Sequence, residues 1–302
     1  MIVITTPTGD IGARVLERVR NAGAKVRAIA RDPSRLPDGL GRDVEVIEGS
    51  HADTGTIGRA LDGAERVFWL APGSPGSPDA ETAYVEFSRA FADALPGSGV
   101  TRVVGVSALG RGWPEPAGLV TASLAMDDLI GAAAGVSYRA LACASLMDNL
   151  LRQAESIGND GVFHQPTPGD RRLPHVAKSD VADVAARLLL STDWDGVAEV
   201  PLHGPENLSF NEMARIASDV LDRPVRFEAM PLDRFEATMR SFGASEGMAR
   251  DYALMFAAKN AGMDTMAEPA TREDTPTTFG RWCERELRPA VAGARSRRPK
   301  AQ

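Results

Sequence analysis

Apolar positions along this chain follow two periods in turn. Short runs rich in β-branched residues, at Ile2 to Thr5, Val26 to Ala30, Val44 to Ile47, Arg66 to Leu70, Thr101 to Val106 and Val136 to Ala142, predict buried strands. Between them apolar residues recur every three or four positions and predict helices, as Ile11, Val15, Leu16 and Val19 do, or Tyr84, Phe87 and Phe91 within Ala80 to Leu95. Thr56 to Leu61 and Val120 to Ala134 add two more helical stretches. Strand and helix alternating at this spacing specify an α/β fold with a doubly wound, mostly parallel sheet.

The texture changes from Ser145 onward. Leu146 to Ile157 reads as helix, residues 161–174 are rich in Gly, Pro and Asp, and Asp180 to Leu190 is amphipathic, with Val181, Val184, Ala185, Leu188 and Leu189 on one side. Glu199 to Leu202 offers one further strand. Helices follow at Ser209 to Leu221, Leu232 to Phe242, Ser245 to Ala261 and Thr277 to Glu286; Ser209 is placed to cap the first, with Glu212 completing a capping box. The expected division is a sheet domain over residues 1–150, to which the chain returns at about 175–200. A smaller, mainly helical substrate-binding cap spans 151–290, and a basic, disordered tail (291–302) carries Arg295, Arg297, Arg298 and Lys300.

The turn after the first strand brings in chemistry. Thr8, Gly9, Asp10, Ile11 and Gly12 lead straight into a helix, with the two glycines spaced as a dinucleotide fold spaces them. Backbone N–H groups at such a helix N-terminus receive a pyrophosphate. Glycine spacing also serves a plain turn, and here Thr6, followed by Pro7, stands where the usual first glycine would be. At the end of the second strand Arg31, with Ser34 and Arg35 behind it, pairs with a ribose 2′-phosphate and favours NADPH, unless it is merely a solvated strand end. Asp32 beside it leaves NADH open. Ser50 or His51 either contacts an adenine or forms a strand-to-helix turn. Leu70, Ala71 and Pro72 begin a Pro/Gly-punctuated loop, extending to Pro78, at the carboxyl edge of the sheet, where ligands of open α/β sheets lie.

Composition narrows the partners. A net charge of −7 and a pI near 5.3 argue against nucleic acid. With 43% hydrophobic residues but no run long enough to span a bilayer, and no basic leader, a cytoplasmic protein without a membrane partner is expected. Cys143 and Cys283 are too few and too far apart for a disulfide framework, and His51, His164, His175 and His203 lack metal-ligand spacing, so no metal is expected.

Taken in order, several pieces resemble the NmrA-like branch of the atypical short-chain dehydrogenase/reductases. They are Thr8 to Gly12, Val26 to Pro33, Gly99 to Val104 with Ser107 behind, Met147 to Leu151, and Pro174 to Ala186. The resemblance spans about residues 1–290 and implies a Rossmann-like fold binding NADP(H). It implies a reductase of quinones or other carbonyls, or a relative that binds the dinucleotide as a redox sensor.

Hydride delivery to a carbonyl leaves an alkoxide, which a reductase usually meets with a proton donor. Short-chain dehydrogenases use a Tyr-x-x-x-Lys pair on the helix after the fifth strand, yet Val120 to Ala134 contains neither residue, and Tyr138 on the next strand reads as core. Candidate catalytic residues are Ser107, which is one or two residues from the family's serine position or else a strand-end hydroxyl, together with Asn149 and His175. Thr121 and Ser123 are further candidates for a substrate oxygen; Asp127 and Asp128 read as a solvated helix face. Ala142 to Leu146, Ala142 and Ser145 among them, are expected beside the nicotinamide. Trp113, Phe163, Met147, Met239, Met248 and Met255 either hold a flat aromatic substrate or fill the core.

Three functions fit. The favoured one is an NADPH-dependent reductase of a ketone or quinone, in its specific form an aromatic, polyketide-type intermediate. The others are a non-catalytic NADP(H) sensor with a protein partner, and an isomerase or dehydratase.

Overall fold

A computed structural model describes residues 1–36, 44–266 and 274–296. The short branched runs form strands β1 (Ile2–Ile4), β2 (Val26–Ala30), β3 (Val44–Glu48), β4 (Arg66–Trp69), β5 (Arg102–Ala108) and β6 (Ser137–Cys143), and β10 (Val197–Leu202) joins them after the chain has left and returned. All pairings in this seven-stranded sheet are parallel, in the order β10-β6-β5-β4-β1-β2-β3. The order reverses between β1 and β4, the switch point where a crevice opens beyond the carboxyl ends.

Parallel strands need both faces covered. Helix α1 (Asp10–Asn21) and helix α6 (Lys178–Leu190) cover one face, burying Val15, Leu16, Val181 and Leu189 against Ile4, Phe68 and Leu141. Helices α2 (Thr54–Leu61), α3 (Phe87–Ala94, preceded by a wide turn over Thr82–Glu86) and α4 (Leu119–Gly131) cover the other, where Trp69 stacks on Phe91 with ring centroids 4.0 Å apart.

Beyond β6 the chain forms more strands than its pattern predicts. Ser145–Leu146 (β7), Leu173–Val176 (β9) and Asn207–Leu208 (β11) make one small sheet, while Val162–Gln165 (β8) pairs with Arg226–Ala229 (β12). The expected helix at Leu146 to Ile157 begins instead as β7 and a 3-10 stretch (Met147–Gln153) before α5 (Ala154–Asp160). Helix α7 (Phe210–Leu221) carries the full capping box: Ser209 Oγ accepts from Glu212 N, and Glu212 accepts from Ser209 N at 2.9 Å. Helices α8 (Leu232–Ser241) and α9 (Glu246–Ala261) follow, then α10 (Phe279–Trp282) and α11 (Arg288–Ser296). The segment expected as a tail from residue 291 is therefore helical to Ser296, with Val291 buried; Arg297, Arg298 and Lys300 lie outside the described residues.

Helix α9 is pinned to the segment that follows β4. Ser245 N donates to Pro75 O at 3.0 Å, Ser245 Oγ donates to Ser77 O at 2.6 Å, and Asp251 accepts from Ala80 N at 2.9 Å. These bonds hold the C-terminal elements over the carboxyl edge. No helix among the described residues is long and apolar enough to cross a membrane.

Candidate active site

The turn after β1 is built for a close approach. Thr5 Oγ1 donates to Phe68 O at 3.0 Å and accepts from Leu70 N at 2.9 Å, which ties the end of β1 to that of β4. Thr6 then takes φ +51°, a left-handed conformation that is strained for a β-branched residue and does the work of the missing glycine. Gly9 N returns to Thr6 O at 2.9 Å, and a Cβ on Gly12 would lie 2.2 Å from that same oxygen, so only glycine fits there.

Helix α1 has no side-chain cap, whereas α2, α7, α9 and α10 are capped by Asp53, Ser209, Ser245 and Thr278. Its leading N–H groups and positive dipole end thus face outward without a side-chain acceptor. The Asp10 carboxylate, expected at the cofactor, turns instead to Lys178 Nζ at 2.6 Å; that hydrogen bond lowers its pKa, and the pairing offsets the negative charge nearest the helix start. Thr6 Oγ1 is buried without a hydrogen-bond partner among the described residues. An orphaned hydroxyl, a glycine at contact distance and an uncapped helix together fit a pyrophosphate.

At the end of β2, Arg31 and Arg35 are exposed. Asp32 is drawn into its own turn, accepting from Ser34 N at 3.1 Å and from Ser34 Oγ at 2.6 Å, and these bonds lower its pKa. The acid that left NADH open is thus engaged locally. Ser50 Oγ accepts from Ala52 N at 3.2 Å, a turn contact. His51 lies beneath the loop, its Nε2 3.1 Å from Leu70 O and its ring edge-on to Trp69 and Phe87; burial lowers its pKa to about 4.

Ser107 is part of a polar cluster that the sequence did not disclose. Asp127, expected on a solvated face, is 2% exposed and accepts from both Ser107 Oγ and Tyr138 Oη, the latter at 2.6 Å. Ser123 Oγ stands 3.4 Å from Ser107 Oγ. Tyr138 reaches across β5 because residue 105 is glycine: a Cβ there would lie 2.1 Å from its hydroxyl. Desolvation raises the Asp127 pKa to about 6, against the pull of its two hydroxyl donors. Asp128 does face solvent, bonded to Arg111 at 2.9 Å. With its proton directed to Asp127, Ser107 is left as an acceptor. Thr121 Oγ1 accepts from Ala117 N at 2.8 Å.

A small cleft of about 40 Å³, open to solvent, lies at the carboxyl edge between β7, β9, α7 and α9. Ser145, Met147, Asn149, Gln165, His175 and Phe256 are among its lining residues. Ser145 pairs with His175 across β7 and β9, which brings two expected site residues together. Ala142, expected beside them, is buried within β6 between Ser107 and Pro201, and the run emerges only at Ser145. Phe163 and Met248 are core, while Leu150, Gln165, Phe210, Met213 and Phe256 are lining residues the sequence reading missed. Phe210 stands one residue past an evident N-cap, a signal that marks where the helix starts and not what the side chain faces.

His175 is 3% exposed. Its Nδ1 is 3.0 Å from Leu173 O, and a carbonyl only accepts, so the ring proton sits on Nδ1. Burial lowers its pKa to about 4, so the ring is neutral at pH 7 and supplies no proton through Nε2.

A family model described as NAD(P)H-binding matches residues 7–192. The chain belongs to that family. It is 33% identical over 233 residues, 77% of this chain and 78% of the relative, to a (4-alkanoyl-5-oxo-2,5-dihydrofuran-3-yl)methyl phosphate reductase of Streptomyces griseus. It is 26% identical over 249 residues, 82% of this chain and 84% of the relative, to an NAD(P)H azoreductase of Xenophilus azovorans. Among solved structures, an NADPH-dependent quinone oxidoreductase of Escherichia coli complexed with NADPH superposes with a TM-score of 0.76 at 21% identity, covering 97% of this chain and 99% of that one. The kinship with atypical short-chain reductases and the Rossmann-like sheet therefore hold, and the chain is an NAD(P)H-dependent oxidoreductase by family.

Proposed function

We propose that this protein is an NADPH-dependent reductase of an electron-poor conjugated carbonyl, a quinone or an activated ketone, of which an aromatic polyketide-type intermediate is the specific version. The observation that carries the reading is the cleft at the carboxyl edge of the same sheet whose first turn fits a pyrophosphate. NADPH supplies the hydride when bound. Thr6, Gly9, Gly12 and the α1 terminus would hold its pyrophosphate, and Arg31 with Arg35 its 2′-phosphate.

The substrate class follows from what the chain does not supply. Ser107 donates its hydrogen bond to Asp127, Tyr138 does the same from full burial, and His175 is neutral with its N–H turned to the backbone. Asn149 and Gln165 can donate amide N–H bonds to an oxygen in the cleft. Polarisation by amides and orientation by an apolar wall suffice only for an acceptor that is already electron-poor. The dihydrofuranone named for the Streptomyces relative, whose ring alkene is conjugated to two carbonyls, belongs to that chemical class.

The test is NADPH oxidation, followed by absorbance, in the presence of naphthoquinones, benzoquinones and aromatic ketones. Turnover of quinones faster than of simple ketones is expected. Tight NADPH binding without oxidation across the panel refutes the reductase and favours the sensor.

A further inference from the structure

This inference rests on the reductase reading and concerns what its substrate must carry. We propose that the cleft selects substrates bearing an O–H or N–H donor elsewhere on the ring system that carries the reducible carbonyl, and that His175 Nε2 is the specificity-determining acceptor for it. The tautomer is settled by the backbone: Nδ1 donates to Leu173 O at 3.0 Å, so Nε2 presents a lone pair. That atom is buried, and no donor among the described residues meets it.

The elements packed behind the cleft share this bias. Asn260 Nδ2 donates to Pro166 O at 2.7 Å, which fixes the amide and leaves Oδ1 without a donor among the described residues. Asp264, fully buried, holds Lys259 Nζ through Oδ2 at 2.5 Å, while its Oδ1 has no hydrogen-bond partner among the described residues. Lys259 and Asp264 lie near enough to His175 to act on its charge in opposite directions. Among the described residues His175 Nε2, Asn260 Oδ1 and Asp264 Oδ1 meet no donor, and the quinone or ketone oxygen is itself an acceptor. Set against His175 it would place two lone pairs together, so the carbonyl belongs with the amides of Asn149 and Gln165 and the donor with the imidazole.

A buried acceptor left unmet is penalised, and sites shaped for a substrate hydroxyl reject analogues that lack one. The neutral ring, its pKa lowered to about 4 by burial, keeps Nε2 an acceptor throughout the neutral range.

The experiment compares 6-hydroxy-1,4-naphthoquinone, its 6-methoxy counterpart and unsubstituted 1,4-naphthoquinone. Calorimetric titration into the full chain saturated with NADP⁺ reads binding without turnover. The hydroxyl compound is expected to bind at least about tenfold more tightly than both others. In His175→Phe, which keeps a ring against Phe210, that preference disappears while NADP⁺ affinity is retained. Equal affinities in the unaltered protein, a preference that survives in His175→Phe, or no binding of any of the three overturns the proposal. If binding discriminates as expected but NADPH is not oxidised by any of them, the acceptor assignment stands and the reductase reading fails.

Discussion

Replacing Asp127 with Asn isolates one buried charge and gives a pH signature with a definite sign. In the folded protein the Asp127 pKa is raised to about 6 from an ordinary 3.8, chiefly because burial penalises the carboxylate more than the hydroxyls of Ser107 and Tyr138 stabilise it. Between those values the folded state binds more protons than the unfolded one. Stability therefore falls as pH rises through that window, and the group's favourable contribution is complete only below it. Two pKa units correspond to about 3 kcal/mol. Asn has the same shape and no charge. Its Oδ1 accepts from one hydroxyl and its Nδ2 donates to the oxygen of the other, so the cluster stays satisfied.

The assay is urea unfolding of both proteins between about pH 4.5 and pH 7.5, taking the difference in stability at each pH so that all other titrations cancel. Asp127→Asn should gain about 2 to 3 kcal/mol relative to the parent across that range, most of it before about pH 6.5. A difference that stays constant with pH refutes the reasoning. It would mean that Asp127 is as well solvated folded as unfolded.

Three further substitutions test the cofactor turn and the cap. Gly12→Ala puts a Cβ 2.2 Å from the Thr6 carbonyl oxygen, which a backbone cannot yield easily; a loss of about 2 kcal/mol or more in urea unfolding is expected, with loss of the thermal stabilisation by NADPH. Arg31→Ala should raise the NADPH dissociation constant about tenfold or more and leave NADH within about twofold, and equal losses for the two would sink the 2′-phosphate assignment. Lys259→Met strands Asp264, which is fully buried, at a cost of about 3 to 5 kcal/mol, whereas the double change Lys259→Met with Asp264→Leu should recover much of it in the same assay.

Much of the sheet was legible because its strands are short branched runs whose limits coincide with glycine or with charge. Val26 to Ala30 was placed to the residue, and Ser209 with Glu212 announced α7. Those signals are local. The burial of Asp127 is not local, since it depends on Tyr138 crossing β5 above a glycine on that strand, and nothing in the sequence neighbourhood of an acidic pair on a helix records it. The five small strands after β6 were missed for a similar reason: they pair in registers set by distant segments, such as Ser145 with His175 and Val162 with Arg226. The cleft, whose walls come from four such segments, could not be assembled from patterning.

The same contrast bears on how the reaction is divided between protein and substrate. The missing Tyr/Lys pair suggested a replacement acid among Ser107, Asn149 and His175. Each hydrogen-bonding partner found in the structure argues against one: Ser107 donates its hydroxyl hydrogen bond to a carboxylate, and His175 donates its N–H hydrogen bond to a carbonyl. Asn149 remains, an amide whose N–H is far too weak an acid to be transferred but well able to polarise an oxygen. A site so furnished lowers the barrier by holding and orienting. Its selectivity must then come from substrates that carry their own activation, and the unmet lone pair of His175 is where such a substrate would be recognised.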